Sequence, residues 1–136
     1  MAARSKARKR ALDILFASEQ RSEEPALALE RAIEAGVGPT NDYTTTLVHG
    51  VVEHRDRIDE VLTTYSRDWT LARMPAVDRN VLRIAVYELL WGEDDVPGEV
   101  AMSEAVHLVQ ELSTDDSPTF VNGILGSVLR DRAALV

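Results

Sequence analysis

Apolar residues recur at three- and four-residue spacing along nearly the whole chain, the period of an α-helix, and strand-like alternation is absent. Ser5 to Ser22 reads as a first helix, with Ala11, Leu12, Leu15 and Phe16 as its core stripe. Its first turns carry basic residues and are expected to project beyond the core or fray. Pro25 opens a second helix through Leu27, Leu29 and Ile33, ended by Gly36 and Gly38-Pro39. Thr40-Asn41 is a plausible N-cap for one long third helix to about Tyr65, carrying Leu47, Val48, Val51, Val52, Ile58, Val61 and Leu62. From Ser66 to Pro75 the period breaks, across Arg67, Asp68, Trp69 and Arg73. Val77 to Leu90 follows, apolar on most of its circumference, which predicts a central helix packed on several sides.

After a turn at Glu93–Gly98 comes a helix from Glu99 to Leu112. A last helix runs from Pro118 to Ala134, with Ser117 as its N-cap and Pro118 at its first position. Gly123 and Gly126 each weaken that helix by about 1 kcal/mol relative to Ala, which suggests close approach of another helix. Three helices, a linker and three more predict an all-α fold. Two three-helix bundles, about residues 1–66 and 76–136, would pack into one body.

Charge changes the picture. The chain of 136 residues carries a formal charge of -8, with 15 basic and 23 acidic residues. Its first ten residues hold Arg4, Lys6, Arg8, Lys9 and Arg10 and no acid, so the arm carries about +5 and the rest about -13. A body that negative repels polyanions, and an arm that basic attracts them. The asymmetry points to a phosphate-backbone ligand held at one end; a solvated terminus with no ligand is the plainer alternative. Asp13 and Glu19 follow in the same helix, unlike an acid-poor transit peptide. No apolar run approaches a membrane span, and there is no cysteine for disulfide, thiolate or cysteine–zinc chemistry. The expectation is a cytoplasmic protein that does not enter a membrane.

Candidate chemistry is sparse. His49 and His54, five apart on one helix, point about 140° from each other. His107 and Glu111 share a face, as ordinary surface pairs do. Glu93-Asp94-Asp95 and Asp115-Asp116 lack the spaced pattern of a calcium loop. No glycine-rich loop follows a strand, and no serine sits in a nucleophile elbow. No catalytic residue, metal site or cofactor is read.

Ser113 to Gly123 is different. It joins polar Ser113, Thr114, Ser117 and Thr119 to a helix N-terminus, with Phe120 and Asn122 beyond. A helix N-terminus can receive phosphate, and an aromatic ring can stack a base of single-stranded RNA. Equally, Phe120 could be core and Asp115-Asp116 a cap.

Four blocks carry a resemblance to a known family: Val81-Leu82-Arg83-Ile84-Ala85-Val86-Tyr87-Glu88-Leu89, Asp95-Val96-Pro97, Ala101-Met102-Ser103-Glu104-Ala105-Val106 and Asp116-Ser117-Pro118-Thr119-Phe120-Val121-Asn122-Gly123-Ile124-Leu125. In this order and spacing, with the basic start running into Ala11-Leu12-Asp13-Ile14-Leu15-Phe16, the chain resembles the NusB family of bacterial transcription antitermination factors. The likeness covers essentially the whole chain and is weakest between about residues 22 and 42.

The resemblance implies two three-helix bundles. It also implies binding to boxA, a short single-stranded RNA element of ribosomal-RNA leaders and phage transcripts, together with NusE, a small-subunit ribosomal protein, in an RNA polymerase antitermination complex. It places the RNA-contacting arginine-rich motif on Arg4, Lys6 and Arg8, with Lys9 and Arg10 as further charge and Ser5 where the family has an arginine. A second RNA contact falls on Asp116 and Phe120, where Pro118-Thr119 replaces a more basic pair. The NusE-facing surface falls on Asp78, Arg83 and Glu88. Some relatives form homodimers, and the apolar positions here leave monomer and dimer both open. An acidic body also suits a basic ribosomal protein.

Two other functions compete. Similar domains precede the catalytic domains of some ribosomal-RNA cytosine methyltransferases, but these need catalytic cysteines and a downstream cofactor domain, and this chain has no cysteine and ends at Val136. A protein-only helical adaptor would use the arm on acidic protein instead of RNA.

Overall fold

The computed structural model describes residues 2–36, 42–66, 69–92 and 96–136. Among them are seven α-helices and no strand: α1 (Ala2–Gln20), α2 (Pro25–Glu34), α3 (Asp42–Glu53), α4 (Arg55–Tyr65), α5 (Ala76–Trp91), α6 (Gly98–Leu112) and α7 (Ser117–Leu135). A short 3-10 turn, Leu71–Arg73, precedes α5. The expected terminator Gly38-Pro39, the Thr40-Asn41 cap and the acids Glu93-Asp94-Asp95 lie outside the described residues, as do Arg67 and Asp68.

The chain folds around α5, which packs against α1, α3, α4, α6 and α7. Val81, Leu82, Ile84, Ala85, Val86, Leu89 and Leu90 are all buried, so the near-continuous apolar circumference of this segment has a neighbour on each side. Gly50 lets α3 come close: a Cβ there would stand 2.2 Å from Cε1 of Tyr87. The left-handed residue Ser22, φ 52°, turns the chain out of α1 and into α2.

Three sequence expectations change. The single third helix is two, α3 and α4, meeting at His54 with φ -103° and ψ 14°. The hydrogen bonds from His54 N to Gly50 O and from Ile58 N to His54 O persist at 3.0 and 2.8 Å, so the apolar period continues across the joint. Ser117 is not the cap of α7, because the helix begins one residue earlier, with Asp116 at the N-cap position. The Ser117 hydroxyl lies inside, 2.8 Å from Oγ1 of Thr114. Nor are Gly123 and Gly126 points of unusually close approach by another backbone or helix. A Cβ at Gly123 would meet nothing within 4 Å, and one at Gly126 only the Met102 methyl, at 3.8 Å.

Candidate nucleic-acid interface

The basic arm does not fray. It is the first half of α1, laid against the body with Ala7 and Ala11 at 1% and 0% exposure. Five cations in the first turns of a helix oppose its dipole, and acids from other helices compensate. Arg8, assigned by the sequence to RNA, is only 3% exposed. Its Nε donates to Glu88 Oε1 at 2.9 Å and its Nη2 to Glu88 Oε2 at 2.9 Å, while Nη1 reaches Glu104 Oε1 at 2.9 Å. The Tyr43 hydroxyl also donates to Glu88 Oε2. Burial alone would lower the Arg8 pKa; the hydrogen bond to Glu88 and the charges of Glu88, Tyr43 and Glu104 outweigh it, and the pKa is raised. The same burial, followed by the bond to Glu88 and its charge, pushes the Tyr43 phenol up. Arg8 is therefore an anchor whose guanidinium is consumed internally, and its expected phosphate contact is withdrawn.

With α1 anchored, the other four cations remain accessible. Lys6 and Lys9 are exposed, and Arg4 and Arg10 are half-buried. The Arg4 guanidinium lies 4.7 Å above the centre of the Tyr43 ring. Lys9 pairs with Glu111 of α6 at 3.1 Å, with both side chains about half exposed. Ser5, at the family's arginine position, donates to Glu104. A cleft of about 170 Å³ opens here between α1 and α6, lined by Ser5, Lys6, Arg8, Lys9, Glu104, His107, Leu108 and Glu111.

The C-terminal end of α6 leads from this cleft to the second expected contact. Asp116 is exposed at the start of α7, and Phe120 is half-buried. Phe120 is neither a core residue nor a free ring: it meets Trp69 edge to face, centroids 4.8 Å apart and planes at 76°. Ser66 Oγ donates to the Trp69 carbonyl at 2.9 Å and fixes the backbone there.

The expected partner-facing residues are not at the surface. Asp78, Arg83 and Glu88 are 0%, 5% and 5% exposed, and a docked protein can touch only accessible atoms. Asp78 accepts from Ser113 Oγ at 2.6 Å and ties the start of α5 to the end of α6. Glu88 holds Arg8. Arg83 donates to both Asp59 oxygens, at 2.9 and 3.1 Å, and to Glu19 at 3.1 Å, and Arg79 joins it on Glu19 at 3.0 Å. In this structure their charges turn inward and tie α1, α4, α5 and the end of α6 together.

Sequence reasoning missed the anchoring role of Glu88 and Glu104 and the pairing of Trp69 with Phe120. The acids Glu104 and Glu111, one heptad apart on α6, were the available signal for a helix that receives a basic neighbour. Among the described residues no group of three His, Asp or Glu side chains is arranged to hold a metal, and no helix is long and apolar enough to cross a membrane.

A family model described as the NusB family matches residues 5–130. The transcription antitermination protein NusB of a Nocardioides species is 67% identical over 135 residues, 99% of each chain. That of Saccharopolyspora erythraea is 57% identical over 129 residues, 94% of this chain and 87% of its own. Of solved structures, T. maritima NusB matches with a TM-score of 0.85 at 34% identity, over 96% of this chain and 92% of that one. A chain from a structure of the antitermination factors NusB and NusE in complex with dsRNA matches with a TM-score of 0.82 at 28% identity, over 96% and 98%.

Proposed function

The chain belongs to the NusB family, and from that premise we propose that it is a cytoplasmic transcription antitermination factor that binds boxA RNA together with NusE. It is a binding protein, not an enzyme. The observation that carries the reading is the anchored arm: the buried Arg8–Glu88 pair holds α1 in place, so that Lys6 and Lys9 stand exposed on an otherwise acidic molecule. Phosphates meet cations whose backbone is already ordered, which lowers the entropy lost on binding. Asp116 and Phe120 form the second part of the RNA face, beyond the end of α6. On this reading the complex acts with RNA polymerase in ribosomal-RNA transcription.

NusE supplies what this chain lacks. A basic ribosomal protein neutralises acidic surface and adds cations beside the RNA, so the two ligands bind with positive coupling, and the coupling is reciprocal. Filter binding of single-stranded boxA RNA, with and without NusE, tests the proposal, with a duplex of the same sequence for comparison. The expected result is retention of the single strand that strengthens severalfold with NusE. Equal retention of a scrambled strand, or no retention with NusE present, would leave the protein-only adaptor as the better reading.

A further inference from the structure

We propose that Trp69 is a second base-stacking residue of the RNA face, forming with Phe120 one aromatic shelf. The inference rests on the RNA reading above and adds a residue to its second contact region.

Trp69 comes from the connection between α4 and the 3-10 turn, and Phe120 from the first turns of α7; the two rings meet only in the folded protein. Both are half-buried, so each keeps part of its surface in solvent. Their edge-to-face arrangement, with 4.8 Å between centroids, has a direct geometric consequence. The ring that points its edge at the other keeps both of its faces clear of that partner, and the other keeps one. The separation is less than the breadth of a nucleobase, so a base laid on the solvent-facing part of one ring comes within reach of the other, while the rest of both rings packs on the hydrophobic core. The pair is also held still. The Trp69 carbonyl is bonded by Ser66 Oγ at 2.9 Å, and the buried Ser117 hydroxyl ties the start of α7 to Thr114 at 2.8 Å.

The surroundings favour nucleic acid over an apolar protein segment. Near the two rings in sequence, Thr70, Arg73 and Thr119 are exposed, as are the acids Asp115 and Asp116. An aromatic pair whose exposed sequence neighbours are polar, with Arg73 four residues from Trp69 as a cation for a phosphate, suits an unpaired base. Stacking of this kind needs no particular base, because every base has a π-face.

Tryptophan emission tests this directly, because the chain holds only Trp69 and Trp91. Trp91 is the last residue of α5, stacked on His54 at 4.0 Å. It lies at the C-terminal end of that helix, which is about 24 Å long at ~1.5 Å per residue and begins on the Trp69 side. In Trp91→Phe protein, where Trp69 alone emits, a short single-stranded boxA RNA added in the presence of NusE should quench the emission. In Trp69→Phe protein the remaining Trp91 signal should stay unchanged. In affinity measurements on folded protein, Trp69→Leu should weaken RNA binding about tenfold, or ~1.4 kcal/mol, and Trp69→Phe should recover most of it while NusE binding is unaltered.

If Trp69 emission is indifferent to RNA and Trp69→Leu binds like the parent, while Lys9→Ala still weakens binding, the RNA reading stands and the shelf is overturned. A loss of NusE binding alone in Trp69→Leu would make Trp69 a protein contact and overturn it equally. If the parent protein binds no RNA at all, both proposals fall.

Discussion

Arg8 and Glu88, eighty positions apart in sequence, form a doubly hydrogen-bonded ion pair inside the protein, with side chains 4% and 1% exposed. Glu104 and Tyr43 complete the shell around it. Desolvating two charges is expensive, and such a pair need not add net stability over an apolar substitute. What it adds is register. A basic helix held only by Ala7, Ala11 and Leu12 could slide or rotate on the body, whereas one guanidinium clasped by two carboxylates fixes which face of α1 is outward.

Arg8 should therefore behave unlike its basic neighbours. Arg8→Ala leaves the Glu88 carboxylate buried without its partner, and breaking a buried pair from one side costs roughly 3–5 kcal/mol. Urea denaturation of the variant should show a loss of that order. A loss below about 1 kcal/mol, the size of a surface pair, would mean that the pair is solvated in solution.

Lys6, Lys9, Arg4 and Arg10 should show the reverse. Changing Lys6 and Lys9 to Ala should leave the melting temperature nearly constant, because the Lys9–Glu111 pair is half exposed and surface pairs contribute little. RNA binding should weaken. With Arg8 withdrawn, at most four phosphates meet the arm, so its share of the salt slope should be no steeper than about -2.8, at ~0.7 per contact on single strands. Titrations between low and moderate salt read the slope; an arm contribution much steeper than this would require Arg8 to leave Glu88 on binding.

The helical period of the sequence was sufficient for the fold class and for α5 as the central element, because apolar periodicity reports burial directly. The period gives no sign of the break at His54, where one residue leaves helical geometry without a proline or a loss of period. The family resemblance puts Asp78, Arg83 and Glu88 on a partner-facing surface, and in the structure all three are buried. A charged residue on a helix reads as surface, and burial becomes visible only when the compensating charge, distant in sequence, is seen beside it. Arg8 is hidden for the same reason: its neighbours in sequence are surface cations, and its neighbours in space are Glu88 and Glu104. The family resemblance transfers positions, but the exposure of a side chain depends on its length and on what faces it.

The cluster of Glu19, Arg79, Arg83 and Asp59 gives an acid-sensitive element. Burial tends to raise the Glu19 pKa, but the hydrogen bond and charge of Arg79, with Arg83 behind them, outweigh it, and the pKa falls below the usual 4.5. A carboxylate depressed by folding contributes stability above its unfolded pKa, and that contribution is lost as pH falls through the lower, folded value. Glu19→Gln should be less stable than the parent near neutrality, and the gap should narrow as pH drops below about 4.5. Denaturation at a series of pH values checks this; a gap independent of pH would remove Glu19 ionisation from the account.

Two glycines should answer the same substitution with opposite signs. At Gly50 a Cβ would stand 2.2 Å from Cε1 and 2.3 Å from Cζ of Tyr87. The half-buried Tyr87 ring of α5 must shift to make room, so Gly50→Ala should cost about 1–3 kcal/mol, the usual penalty of overpacking. At Gly123 the added methyl would meet nothing within 4 Å, and the backbone is ordinary right-handed helix. Only the intrinsic preference then acts: Gly loses more backbone freedom on folding than Ala, by about 1 kcal/mol in a helix interior. Gly123→Ala should accordingly raise the midpoint of thermal unfolding by several degrees, since ~1 kcal/mol is worth roughly 2–8 °C for domains of this general size. Both variants can be compared in one calorimetric series. A destabilised Gly123→Ala would mean that α7 is packed against something at this position in solution, and a neutral Gly50→Ala would mean that the Tyr87 ring gives way without loss.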